Sequence, residues 1–190
     1  FTTYKYGTEF ENKLMNICYE ENIAVIVATT NSGVEEYAST KNMHHSELGN
    51  PAEFVRNYLN LKNFYTTVST ACSSGIKAFS IARNLIEKQI AKAVIVIGAD
   101  PISKVPLFGF DSLEVLSDIT TNPLSQNSCG INIGEAVATF IVEENASDGI
   151  HIKGIGETTD TYHATTPDPE GKEVIKAIQT ALKEANLQVE

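Results

Sequence analysis

Cys72 is the residue best placed to do chemistry. It follows a run rich in β-branched residues, Tyr65-Thr-Thr-Val-Ser-Thr-Ala71, and precedes the small residues Ser73-Ser-Gly75 and a helical apolar pattern. A strand there would deliver the thiol to the end of a sheet, and the small residues would leave room around the sulfur. The following helix would point its amino end at it, and the positive end of a helix favours thiolate, the attacking form, over thiol. Two other readings fit the same spacing: a small buried hydrophobe at a strand end, or a phosphate-binding turn.

Other residues with chemical potential carry weaker patterns. His163 sits beside Tyr162 and near Asp160, as a base for a cysteine would. His44-His45 lack the spacing and the third ligand that a metal site requires, so no metal is expected. Gly154-Ile-Gly156 lacks the third glycine of a dinucleotide loop. Glu135, at the start of a strand pattern, suits a structural hydrogen bond better than acid-base work. The three cysteines, Cys18, Cys72 and Cys129, are odd in number and widely spaced, which argues against a disulfide framework or zinc site and for a reducing, cytoplasmic setting.

The elements that must position Cys72 alternate between strand and helix. Apolar spacing predicts a helix over Phe10–Tyr19, and the near-continuous apolar run Ile23–Ala28 predicts a strand buried on both faces, as in a parallel sheet. Thr29–Gly33 reads as a turn, while residues 34–50 have no clear pattern. Pro51 suits the first position of a helix through Leu59 capped by Asn50. Strands are expected over Phe64–Thr70, Ala93–Ala99, Gly134–Glu143 and Ile150–Ile155, with a turn over 145–149. Helices are expected over Ser73–Lys88 and Gly171–Asn186. Ile76, Phe79, Ala82, Arg83, Ile86 and Ile90 line one side of the first, with apolar residues on other sides too, which predicts burial between layers. The result is a layered α/β fold with a largely parallel sheet flanked by helices, whose sites lie at the carboxyl ends of strands.

Composition narrows the function. A net charge of −10, from 14 Lys and Arg against 24 Asp and Glu, argues against a nucleic-acid surface. No apolar run approaches the roughly 20 residues of a membrane span. The chain opens on Phe1 rather than Met, which suggests a start inside a longer polypeptide. Asn145-Ala-Ser147 matches a glycosylation acceptor that matters only in a secreted protein.

Thr67-Val-Ser-Thr-Ala-Cys-Ser-Ser-Gly75 resembles the nucleophile motif of the β-ketoacyl-acyl carrier protein synthases, members of the thiolase-like superfamily. Ile97-Gly-Ala-Asp100 resembles the family's Gly-Gly-Ala-Glu/Asp strand end, and Phe108–Ser117 resembles the helix after it. Asn122-Pro-Leu-Ser125 and Gly130-Ile-Asn-Ile-Gly-Glu-Ala136 resemble the Arg-Pro-Phe and Gly-Glu-Gly segments, and Tyr162–Gly171 the stretch that opens the second half of these enzymes. The wording leans toward synthases of bacterial aryl-polyene and related lipid pathways. Ile97, Ala136 and Asn127-Ser-Cys129 depart from the pattern and mark a divergent member.

The resemblance implies a thiolase-like fold of two similar α/β halves, with residues 1–149 covering most of the first and 150–190 opening the second. The family's first strand, in the middle of the first-half sheet, would fall before Phe1, and the histidines that drive decarboxylation beyond Glu190. It implies that Cys72 accepts an acyl group from the phosphopantetheine thiol of an acyl carrier protein, and that a carbanion from malonyl carrier protein then attacks it. No bound cofactor is implied. Phe110, and less strongly Phe108, would line the acyl pocket, ordinary core and interface packing being the other reading of two such aromatics, and His163 would not be a catalytic histidine. Homodimerisation, or pairing with a related subunit, would extend the sheet. Docking an acidic carrier would need a basic patch, for which Lys41, Lys62, Lys77 and Lys104 are available. A catalytically silent partner subunit and a cysteine hydrolase or redox protein remain as alternatives.

Overall fold

The computed structural model describes residues 8–144, 149–163 and 166–188. The turn expected over 145–149 and the tripeptide Asn145-Ala-Ser147 lie largely or wholly outside them, as do Ala164 and Thr165 of the Tyr162–Gly171 motif. The described residues fall into two compact units, 8–144 and 149–188.

The first unit is built on four strands: β1 (Ile23–Ala28), β2 (Tyr65–Val68), β3 (Ala93–Asp100) and β4 (Ala136–Glu143), in the order β2-β1-β3-β4. β1 is parallel to both neighbours, with Val25 opposite Tyr65 on one side and Ile95 on the other, and the four strands pair without a gap, so the expectation of a strand missing from the middle of this sheet is corrected. β4 closes the other edge antiparallel to β3, with Ala93 opposite Glu143.

Every residue of β1 is buried, which its unbroken apolar run anticipates. Ala24, Ile26 and Ala28 face one core with Val94 and Val96; Ile23, Val25 and Val27 face the other with Ala93 and Ile95. Helix α5 (Ser74–Glu87) covers the first face through Ala78, Ala82 and Leu85, flanked by Phe79, which meets Phe140 of β4 edge-on at 5.2 Å. The second face is covered by α1 (Thr8–Cys18), through Leu14 and Ile17, and by α4 (Asn50–Tyr58), through Ala52 and Val55. Each buried Val or Ile contributes about 1.5–3 kcal/mol, so this three-layer core holds the sheet ends in place.

Several expectations are corrected. Residues 34–50, without clear pattern in sequence, hold two short helices, α2 (Val34–Thr40) and α3 (Met43–Ser46), the latter capped by Asn42. Gly49, not Asn50, caps α4. Helix α5 rests on Ala78 and Ala82, which let it approach the sheet closely, and Ser80 on its other side is buried too, but of the apolar stripe expected on it Ile76 is exposed and Ile90 lies beyond the end of the helix. Helix α6 (Lys104–Ser112) starts ahead of the stretch expected to be helical and ends before Ser117, at Leu113, followed by Glu114 at a φ of 57°.

The second unit contains helix α7 (Lys172–Glu184), which starts at Gly171 in the left-handed region. Ile150–Ile155 is not the strand expected. A Cβ on Gly154 or Gly156 would collide with the carbonyls of Ala181 or Ala177, so this segment lies directly against α7. The two glycines thus serve close packing. Asp160 folds the loop before α7 by accepting N–H bonds from Tyr162 and Asp168, both at 2.8 Å, and these amides hold its carboxyl below the usual carboxylate range.

Candidate active site

Cys72 is exposed and lies two residues ahead of the first residue of α5. The chain turns sharply to place it there. Ala71 takes a φ of 52°, a left-handed conformation that costs an L-residue about 1–2 kcal/mol, so neighbouring contacts must hold it.

Ser74 and Ser73 supply those contacts. The buried Ser74 hydroxyl accepts the Thr70 N–H at 2.8 Å and donates to the Ala71 carbonyl at 2.6 Å, bracketing the turn. Ser73 Oγ donates back to Thr70, within 2.8 Å of its carbonyl and 3.0 Å of Oγ1. Ser73 therefore does not cap α5 with its side chain, and its own amide and that of Ser74 donate to the carbonyls of Thr70 and Ala71 at 3.3 and 3.1 Å. Nothing lies within 4 Å of a Cβ placed on Gly75, so this flank is open too.

The carboxyl ends of the strands meet beside this turn. Asp100, closing β3, accepts bonds on one oxygen from Thr29 Oγ1 and the Thr30 amide, both at 2.8 Å, and on the other from Thr30 Oγ1 at 3.2 Å. The Thr29 amide donates to the Val68 carbonyl at 3.1 Å, and Ser69 Oγ to the Thr30 carbonyl at 3.3 Å. The turn after β1 is thus anchored on both sides. Sequence reasoning gave Ser74 only the role of leaving room around the sulfur, and it placed Thr29 and Thr30 in a turn and Asp100 at a strand end without joining them; their pairing needs the strand order.

Phe108 and Phe110 both lie on α6, Phe108 exposed and Phe110 half-buried. The helix is capped by Ser103 and packs on α2, with the Lys104 amide donating to Glu35 at 3.0 Å. Lys104 Nζ also faces Glu35, and Lys41 lies over the Tyr37 ring. Glu135 accepts the Ile102 amide at 3.2 Å, a structural bond. Between α6 and β4, Asn132 pins the loop by accepting from the Thr121 amide and donating to the carbonyls of Ser117 and Ile119. Cys129 Sγ lies 3.3 Å from Ser117 Oγ in the same loop. Cys18, half-buried in the core, has its thiol pushed up by desolvation. His44 lies between Glu47 and Glu53, and the side chain of His45 is outside the described positions.

A cysteine presented from a strand-to-helix turn on a mostly parallel, helix-flanked sheet places the molecule in the thiolase-like α/β class. The family model for the β-ketoacyl synthase N-terminal domain matches residues 15–147, and the chain belongs to that family. It is 34% identical to a ketosynthase solved in complex with its chain length factor from Xenorhabdus doucetiae, with a TM-score of 0.83 over 94% of this chain and 49% of that one. It is 31% identical over 134 residues to the tetracenomycin polyketide synthase ketoacyl synthase alpha subunit of Streptomyces glaucescens, covering 63% of this chain and 32% of the relative. Over 132 residues it is 30% identical to 3-oxoacyl-acyl-carrier-protein synthase 2 of Staphylococcus aureus, covering 63% and 33%. The chain thus spans about a third of these curated relatives and about half of the solved structure.

Proposed function

We propose that the protein is the nucleophile-bearing part of a condensing acyltransferase, in which Cys72 takes an acyl group from an acyl carrier protein for chain extension with malonyl carrier protein. The observation that carries this reading is the exposed Cys72 on a serine-clamped turn ahead of an uncapped helix, in a chain of the β-ketoacyl synthase family. The Cys72 sulfur attacks the thioester carbonyl, the tetrahedral intermediate collapses, and the carrier's phosphopantetheine thiol leaves. The backbone N–H of Cys72 is one donor to the oxyanion; removing one donor of this kind costs on the order of 10²-fold in rate. Covalent capture splits a difficult carbon–carbon bond formation into two easier steps.

Phe110 and Phe108 on α6 line the acyl pocket in this reading, with Phe110 the deeper of the two. Residues 1–149 form the first α/β half and 150–190 open the second. Substrates arrive on the carrier's phosphopantetheine in the cytoplasm; among the described residues no helix is long and apolar enough to cross a membrane. The protein works as a homodimer or beside a related subunit, joined along the open edge of β2.

The test is intact-mass analysis of the full chain after exposure to an acyl-carrier thioester. An acyl adduct on Cys72 that is lost in Cys72→Ala supports the reading. Adducts confined to Cys18 or Cys129 overturn it, and no adduct at all points to a silent partner subunit.

A further inference from the structure

We propose that Asp100 is a positioning residue that holds the Cys72 turn and the phenylalanine-bearing helix α6 in register, an inference that rests on the acyl-transfer reading above. Its carboxylate gathers three donors from two residues, Thr29 Oγ1, the Thr30 amide and Thr30 Oγ1. A carboxylate suits this task because it only accepts, and its two oxygens offer enough lone pairs for all three. Thr29 is almost fully buried, and its hydroxyl also accepts the Ser32 amide at 3.2 Å, so the turn after β1 folds around the bond to Asp100.

The tie continues in both directions. Toward the nucleophile, the Thr29 amide holds the Val68 carbonyl, and the Thr30 carbonyl accepts from Ser69 Oγ, three residues ahead of Cys72. Toward the acyl pocket, Asp100 leads through Pro101 into Ile102, whose amide is held by Glu135, and then into Ser103, the cap of α6. One carboxylate therefore sits where the segment bearing Cys72 and the segment bearing Phe108 and Phe110 both take their bearings. A displacement of about 1 Å at reacting groups lowers rates by up to about 10²-fold.

The distinction between positioning and charge is testable. Asn at position 100 can keep the two bonds to its oxygen and donate from its amide to Thr30 Oγ1, whereas Ala loses all three. In the full chain, Asp100→Ala is expected to speed hydrogen exchange at Thr30 and across residues 70–75, and to slow Cys72 acylation about tenfold at saturating carrier thioester with little change in KM. Asp100→Asn should keep both near the unsubstituted values. Ser69→Ala, which leaves the carboxylate intact and sits on the surface, should loosen residues 70–75 alone and slow acylation even if Asp100→Ala does not fold. Unchanged exchange over 70–75 in both Asp100→Ala and Ser69→Ala would overturn the proposal, as would a folded Asp100→Asn that loses as much as Asp100→Ala. If the unsubstituted chain is not acylated at Cys72, the acyl-transfer reading fails on its own, and the exchange comparison still decides whether Asp100 holds the turn.

Discussion

Ala71 takes a left-handed backbone so that the residue after it can stand clear of the sheet, and the Ser74 hydroxyl, which accepts the Thr70 amide and donates to the Ala71 carbonyl, makes that conformation tolerable. The other two thiols occupy different settings, and this separates them chemically. Burial raises the Cys18 thiol above its ordinary value, because the charged thiolate is the form that loses hydration. Near the ordinary thiol value, about 8.5, Cys18 therefore carries less thiolate than an unburied thiol. In a pH series of alkylation rates resolved by peptide mass, Cys18 should lag a small model thiol between about pH 7 and 9 and approach it only at higher pH.

Helix α5 works through small residues. Ala78 and Ala82 are fully buried against the sheet, and their size lets the helix axis come close enough to aim its amino end at the turn. Enlarging one of them should push the helix away: Ala82→Leu is expected to destabilise the fold by about 1–3 kcal/mol, read as a lower urea midpoint. Ile76, exposed on the opposite side, gives the internal comparison; Ile76→Ser should stay within about 0.5 kcal/mol. The Asp160 loop shows a second element-scale device, a carboxylate held ionised by two amides. Because its folded value is depressed, the order it confers is complete above the ordinary Asp range and is lost as pH falls through the lowered value.

At the scale of the molecule, β2 and β4 form the two edges of the sheet among the described residues. An open edge is a template for pairing with another chain. Beside β2, α4 presents Phe54 and Tyr58 stacked at 6.1 Å, with 65% and 79% of their surfaces exposed. Apolar rings left in water next to an open edge favour association over solvation. If β2 joins subunits as proposed, the combined Phe54→Glu and Tyr58→Glu substitutions should shift the full chain from dimer to monomer in sedimentation velocity at micromolar concentration. An unchanged dimer would place the interface elsewhere.

Local pattern alone determined much of this protein. The unbroken apolar run at Ile23–Ala28 specified a strand buried on both faces, the apolar run Ala93–Ala99 located β3, and the passage from β-branched to small to helical residues located the Cys72 turn. These features depend on neighbours within a few residues, where side-chain period and backbone preference act directly. Tertiary structure decided the rest. That β1 and β3 lie side by side, bringing Thr29 to Asp100 across 71 positions, follows from strand order, which no periodicity encodes. The antiparallel setting of β4 is of the same kind, since an apolar strand reads alike in either direction. Ile150–Ile155 has a strand's composition, but a strand also needs a partner to pair with, and among the described residues of the second unit there is none; Gly154 and Gly156 set only how closely the segment approaches α7.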